Sequence, residues 1–174
     1  MENGLNHVID VDQLFREHHV SLTRYLTRHC GDADVAADVV QETYLRLIAR
    51  PPAHDTHMRA WLFTVATNVI REAARTSRRR HRLLHLGAAR TPMADPARAP
   101  DGDVEAGELR QAMDRLLADL PDRDRTMLLM REEGFSHQEI ADAVQVKPGS
   151  VGTLLVRALE KIAPAVERMS KEWL

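Results

Sequence analysis

The stretch "SHQEIADAVQVKPGSVGTLLVRAL", residues 136–159, decides how the rest of the chain is read. Ser136 and Glu139 form an S-x-x-E pattern, in which each side chain satisfies a backbone amide of the other at a helix start, worth about 1 kcal/mol. Ile140, Ala141 and Val144 give that short helix a buried side. "QVKPG" at 145–149 turns the chain, and Ser150 is expected to cap a second helix. In it, Val151, Leu154, Leu155 and Ala158 recur at spacings of three and four. Two short helices after a preceding one match the helix-turn-helix arrangement, whose second helix enters a DNA groove. A plain helical hairpin shares the local pattern. From Ser150 to Leu159 the single cation is Arg157, so a DNA-reading helix here draws its affinity from elsewhere.

Working outward, the periodicity stays helical. Leu109, Met113, Leu116, Leu117 and Leu120 make one face of a preceding helix, and "LPDRDR" restarts a helix at Pro121 that stops at Gly134. Near the N-terminus, Leu14, Phe15, His18, Leu22, Tyr25 and Leu26 recur on a first helix that ends near Cys30–Gly31. A second helix is predicted over 33–49, capped by Asp32 or Asp34. Val35, Val39, Val40, Tyr44, Leu47 and Ile48 form its apolar stripe, with Asp34, Asp38, Gln41, Glu42 and Leu45 outside it. "RPPAHDTH" at 50–57 breaks the helix. A third begins near Met58, apolar through Trp61, Leu62, Val65, Ala66, Val69 and Ile70, with Trp61 assigned to the core. Residues 87–103, "GAARTPMADPARAPDGD", carry no apolar period and read as a linker. The fold class expected is all-α: two small helical domains joined by a flexible linker, the C-terminal one a helix-turn-helix. The divisions fall at 1–86, 87–107 and 108–174.

Net charge is −2, yet its distribution is uneven: residues 71–90 sum to about +6, while each flanking segment is mildly negative. "REAARTSRRRHR" at 71–82 holds six arginines and one acid, Glu72. Arg71, Arg75, Arg78 and Arg82 share one side of a continuing helix. A solvated helix end is the alternative reading, but arginines so short of acidic partners are expected to meet phosphate.

Other chemistries find little footing. One cysteine, Cys30, gives neither a disulfide framework nor a C-x-x-C zinc pair. His81 and His85 sit among arginines, and His54 and His57 have only Asp55 nearby, so no metal is expected. There is neither a nucleophile with its base nor a phosphate-cradling glycine loop, so no enzymatic activity and no cofactor are expected. The polar, acidic N-terminus and the lack of an apolar run of ~18 residues point to a cytoplasmic protein without membrane insertion.

Together these segments resemble a bacterial sigma factor of the extracytoplasmic-function (ECF) class, in the sigma-70 family. "DADVAADVVQETYLRLI" (32–48) is similar to the polymerase-binding helix of region 2. "RAWLFTVATNVIREAARTSRRR" (59–80) is similar to the helix that handles the −10 element. "LPDRDRTMLLMREEGFSHQEIADAVQVKPGSVGTLLVRALEKI" (120–162) is similar to region 4.

The resemblance implies a transcription-initiation factor that binds core RNA polymerase through the β′ clamp helices and the β flap, and that recognises promoter DNA. An anti-sigma factor is the further partner it implies. By position, Asp38, Gln41, Glu42 and Leu45 fall on the polymerase contact. Asn68, Arg71, Arg75, Arg78 and Arg79 fall where the family meets the melted −10 strand, and the 50–57 loop where it captures an everted base. Lys147, Ser150, Thr153, Leu154 and Arg157 fall on the −35 helix. Gly152 and Leu154 depart from the Lys or Arg common there. Polymerase tethering then supplies the effective concentration that this weakly basic helix lacks. A stand-alone helix-turn-helix regulator is the competing reading. It would need its own dimerisation surface and a more basic DNA-facing unit.

Overall fold

The computed structural model describes residues 9–52, 57–84 and 104–172, with side chains from 9 to 76 (53–56 excepted) and from 107 to 171. Seven helices account for the described residues: α1 (Val11–Cys30), α2 (Ala33–Ala49), α3 (Met58–Leu84), α4 (Val104–Asp119), α5 (Asp122–Glu132), α6 (His137–Val144) and α7 (Pro148–Glu172). Helices α1–α3 pack on one another, as do α5–α7, while α4 lies against α7 and α1.

Local chemistry sets most helix ends. Asp10 caps α1 by accepting from the Gln13 amide at 2.9 Å. Gly31, at φ 74°, ends α1 with its N–H on the Thr27 carbonyl, a conformation that costs glycine little. Asp32 then accepts from the amides of Asp34 and Val35 and starts α2. Ser136 and Glu139 make the reciprocal capping box expected of them at the start of α6. The turn after α6 is made by Gln145 in the left-handed region, φ 57°.

Three local expectations need correction. Helix α7 starts at Pro148, two residues before the expected cap, so Ser150 lies inside its first turn. Proline fits that position because its missing N–H would have no helical partner there. In α2, Ala36 and Thr43 are buried, while Val35 and Ile48 are exposed, at 38% and 62%. Apolar character alone misassigned that pair: among the described residues α2 packs chiefly on α1 and α3, and burial follows that contact rather than hydropathy. Helix α4 begins at Val104, within the expected linker, whose residues 87–103 lie outside the described ones.

The two helical groups share one continuous core. Tyr25, Leu26, Leu62 and Phe63 from the first and Met127, Met130, Phe135 and Ile140 from the second are all 1% exposed or less. The rings of Phe63 and Phe135 lie 4.8 Å apart, and the Arg59 guanidinium stands 4.3 Å from the centre of Phe135. Such a cation over an aromatic face is attracted by the ring quadrupole. Arg59 also donates to the Glu133 carbonyl at 2.6 Å.

Several polar groups inside this core are paired. The Tyr25 hydroxyl and Thr67 Oγ1 are 2.7 Å apart, and burial pushes the phenol up to about 12. Arg125 of α5 donates to the Leu117, Ala118 and Leu120 carbonyls at the end of α4, and to the His29 carbonyl at the end of α1.

His29 is 3% exposed, with Nε2 at 3.0 Å from Thr126 Oγ1 and 3.5 Å from Asp122. Burial pushes its imidazole down to about 4, with Asp122 opposing and Arg125 and Arg71 assisting. It is therefore folded neutral. Below pH 6.5 the unfolded chain takes up a proton at His29 that the folded chain refuses until about pH 4. Stability should therefore be complete above pH 6.5 and fall between 6.5 and 4, by at most about 2 kcal/mol at pH 5. Urea unfolding of wild type and His29→Gln at pH 7 and pH 5 checks this: the variant should lose less on acidification, and equal losses would refute it.

Candidate functional site

Helix α2 carries its acidic edge in the open. Asp38, Gln41 and Leu45 are exposed and Glu42 is half-buried, at the spacings of three and four that place residues on one side of a helix. Glu42 accepts from Arg46 at 2.8 Å, and the same guanidinium reaches Glu72 on α3 at 2.8 Å, which holds the Glu72 carboxyl below its ordinary range. Asp38, Gln41 and Leu45 therefore adjoin one another as open groups, whereas Glu42 is engaged within the protein.

Beside this edge runs an apolar groove of about 360 Å³ between α1 and α2, lined by Phe15, His19, Val40, Gln41, Tyr44, Leu45 and Ile48 among others. Phe15 is 43% exposed, and His19 stacks on it at 4.3 Å. His19 Nδ1 and Thr23 Oγ1 lie buried there with no hydrogen-bond partner among the described residues. A concave apolar surface of this kind, with the Gln41 amide among its lining groups, suits a protein partner. The contribution of α1 was missed in the sequence. The signal was Phe15 directly after Leu14, two bulky apolar residues that successive helix positions turn to different sides.

Helix α3 carries the basic surface. Asn68 and Arg75 are exposed and Arg71 is half-buried along one side. With Arg46, Arg50, Trp61 and Val65 they line a cleft of about 630 Å³, and Gln145 contributes from the α6–α7 turn. Trp61, assigned to the core from its spacing, is half-buried and forms an apolar wall of this cleft. An indole beside several guanidiniums can stack on a base while the cations meet phosphate.

Arg71 is not short of partners, as its sequence neighbourhood suggested. Its Nε donates to Asp122 at 2.6 Å, and its other nitrogens to the Ala143 carbonyl and Thr126 Oγ1 at 3.3 Å. Arg78 and Arg79 lie on α3, but their side chains fall outside the described residues, as do residues 53–56 of the loop before it.

On α7, Val151, Leu155 and Ala158 are buried against the core, extending the side begun by Ile140. Ser150, Thr153 and Arg157 are exposed, as is Lys147 just before the helix. They form a continuous polar strip with two hydroxyls and two cations. Leu154 is half-buried and packs on the core. A Cβ at Gly152 would meet His137 at an ordinary 3.6 Å, so packing does not require glycine there. Among the described residues, no three His, Cys, Asp or Glu side chains converge as metal ligands, and no helix is long and apolar enough to cross a membrane.

Comparison with known proteins agrees with this layout. The model of sigma-70 region 2 matches residues 14–80, covering α1, α2 and most of α3, and that of sigma-70 region 4 matches 110–162. The chain is 37% identical over 158 residues to the ECF RNA polymerase sigma factor SigL of Mycobacterium tuberculosis, covering 84% of each chain. It is 28% identical over 163 residues to the RNA polymerase sigma factor CarQ of Myxococcus xanthus, covering 92% of this chain and 91% of that one. Its fold is similar to that of the sigma factor RpoE of Bartonella quintana, solved with the anti-sigma factor NepR. There the TM-score is 0.75 at 20% identity, covering 92% of this chain and 98% of that one. Both sigma regions occur in order on one chain, which is not the make-up of a stand-alone helix-turn-helix regulator. With these matches, the chain belongs to the ECF sigma factors of the sigma-70 family.

Proposed function

We propose that this sigma factor binds core RNA polymerase with the outer side of α2 and recognises promoter DNA with α3 and α7, so directing −10 melting and transcription initiation. The observation that carries the assignment is the order of its surfaces along one chain. An acidic, partly apolar edge on α2 is followed by a basic cleft on α3 and a polar strip on the second helix of a helix-turn-helix.

In this reading, residues 1–86 act as region 2 and 108–174 as region 4, with 87–107 between them. Asp38, Gln41 and Leu45 meet the β′ clamp helices. Glu42 joins them only by exchanging its Arg46 partner. Region 4 meets the β flap. Asn68, Arg71, Arg75, Arg78 and Arg79 hold the melted −10 strand, and Trp61 offers it a stacking surface. Lys147, Ser150, Thr153 and Arg157 meet the −35 element, with Leu154 at the edge of that contact. An anti-sigma factor is the regulatory partner, in keeping with the one solved with the Bartonella relative. The cytoplasm is the place of action. In vitro transcription with core polymerase over a library of promoters tests the whole assignment: no sequence-dependent initiation would refute it.

Three surface tests follow. Asp38→Ala with Gln41→Ala should weaken core binding in a pull-down titration while helicity stays constant, and unaltered affinity would remove α2 from the interface. Arg75→Ala should lower promoter affinity on many sequences alike. It should also flatten the log–log salt dependence of holoenzyme binding by roughly 0.7 to 0.9 for one lost phosphate contact, and an unchanged slope would refute the contact. Arg157→Ala should cost about 1–3 kcal/mol and relax preference at one −35 position if the guanidinium reads a base. A uniform loss in a promoter-variant selection assigns it to phosphate instead. Unchanged profile and affinity would exclude both roles.

A further inference from the structure

Glycine is the least favoured helical residue after proline, yet α7 carries one at position 152, just past its first turn. Neither backbone nor packing calls for it. Its φ is not positive, unlike that of Gly31 and Gly134, and a Cβ there would have room. Among the described residues, the one atom such a Cβ would approach is Cε1 of His137, at 3.6 Å. That carbon lies between the two ring nitrogens, so the nitrogen-bearing end of the imidazole is held beside α7 at this point.

His137 is exposed at the start of α6. Among the described residues, the side-chain hydrogen bonds of this turn run between Ser136 and Glu139 and between Gln138 and Asp142, and they leave the His137 ring out. One nitrogen of an imidazole always carries a hydrogen to donate. Position 152 directly precedes Thr153 and follows Ser150 by two, and both hydroxyl residues are exposed. The ring therefore adjoins the strip that α7 offers to the −35 element. In a helix-turn-helix the second helix lies in the major groove while the first crosses the sugar-phosphate backbone. Helix α6 is that first helix, so a donor projecting from it meets a phosphate rather than a base edge.

We propose that His137 is a promoter contact: its imidazole donates to a DNA phosphate beside the base pairs that α7 reads. Gly152 keeps the path open, since a larger side chain there takes the space in which the ring stands. This rests on the reading of α7 as the −35 helix and adds to it a contact from the neighbouring helix. It supplies holding next to a helix whose single cation from Ser150 to Leu159 is Arg157.

The test uses holoenzyme on a duplex promoter taken from the library, with phosphates around the −35 element replaced one at a time by uncharged methylphosphonates. One phosphate should stand out. Its replacement should weaken wild type by about tenfold, the loss of a hydrogen bond to a charged group. The same replacement should cost His137→Ala nothing, because its contact is already missing. Gly152→Leu should behave as His137→Ala does, and Gly152→Ala, whose methyl fits beside the ring, as wild type. A purely structural role would lower affinity without altering the response to any one phosphate.

Equal responses of wild type and His137→Ala at every phosphate, with a scrambled −35 sequence still weakening both, would overturn the contact and leave α7 as the reader. A wild type indifferent to the scrambled sequence would instead refute the reading of α7, and the proposal with it. A Gly152→Leu variant that keeps the wild-type response would overturn the role given to Gly152. Should His137→Ala lose helicity, His137→Phe, which keeps a flat ring without a donor, carries the same comparison.

Discussion

Phe135 is the side chain on which both helical groups depend. Gly134, at φ 85°, lets the chain double back after α5, and the Phe135 amide closes on the Met130 carbonyl at 3.1 Å. That reversal delivers the ring onto Phe63 of α3 and beneath the guanidinium of Arg59. One turn therefore does two jobs. It ends the helix before the helix-turn-helix, and it fixes where that unit sits against the first three helices. Aromatic burial on this scale outweighs any single ion pair around it, since a large side chain buried here is worth several kcal/mol and an exposed pair typically less than one.

The charges at the seam follow from that packing. Net charge is −2, which conceals a sorting of signs. The α1–α3 group turns Arg24, Arg28 and Arg71 toward a partner face bearing Asp114, Asp122, Glu132 and Glu133. Guanidiniums brought near an apolar seam must find anions or lose hydration without return. The acids of α4 and α5 supply them, which also explains how a basic segment stays compatible with a weakly acidic protein.

Whatever depends on neighbours in sequence was legible from the residues. Gly31, Asp32 and the Ser136–Glu139 pair each fix a helix end through atoms within four positions, so those boundaries follow directly. The family resemblance, carried by ordered segments, likewise fixed the class. What escaped is set by distant neighbours. Arg71 looked short of acids because Asp122 is 51 residues away. Trp61 had helical spacing in common with true core residues, but the cleft opens on its side of α3. Val35 and Ile48 are as apolar as Val39, yet the fold leaves them exposed where Val39 is buried. Ser150 had the right chemistry for a cap, but Pro148 had already begun the helix.

Arg125 joins the ends of two helices that are far apart in sequence, closing at Cys30 and Asp119. Its fork serves the Leu117, Ala118 and Leu120 carbonyls at the close of α4 and the His29 carbonyl at the close of α1. Four acceptors on one side chain require the planar, multi-donor shape of a guanidinium, and three donors on a lysine ammonium cannot match it. In terms of sequence drift, position 125 is bound to two helix ends at once. Neither end can change its geometry without leaving this cation short of acceptors, so mutations at the close of α1 and of α4 are coupled through a residue that belongs to neither.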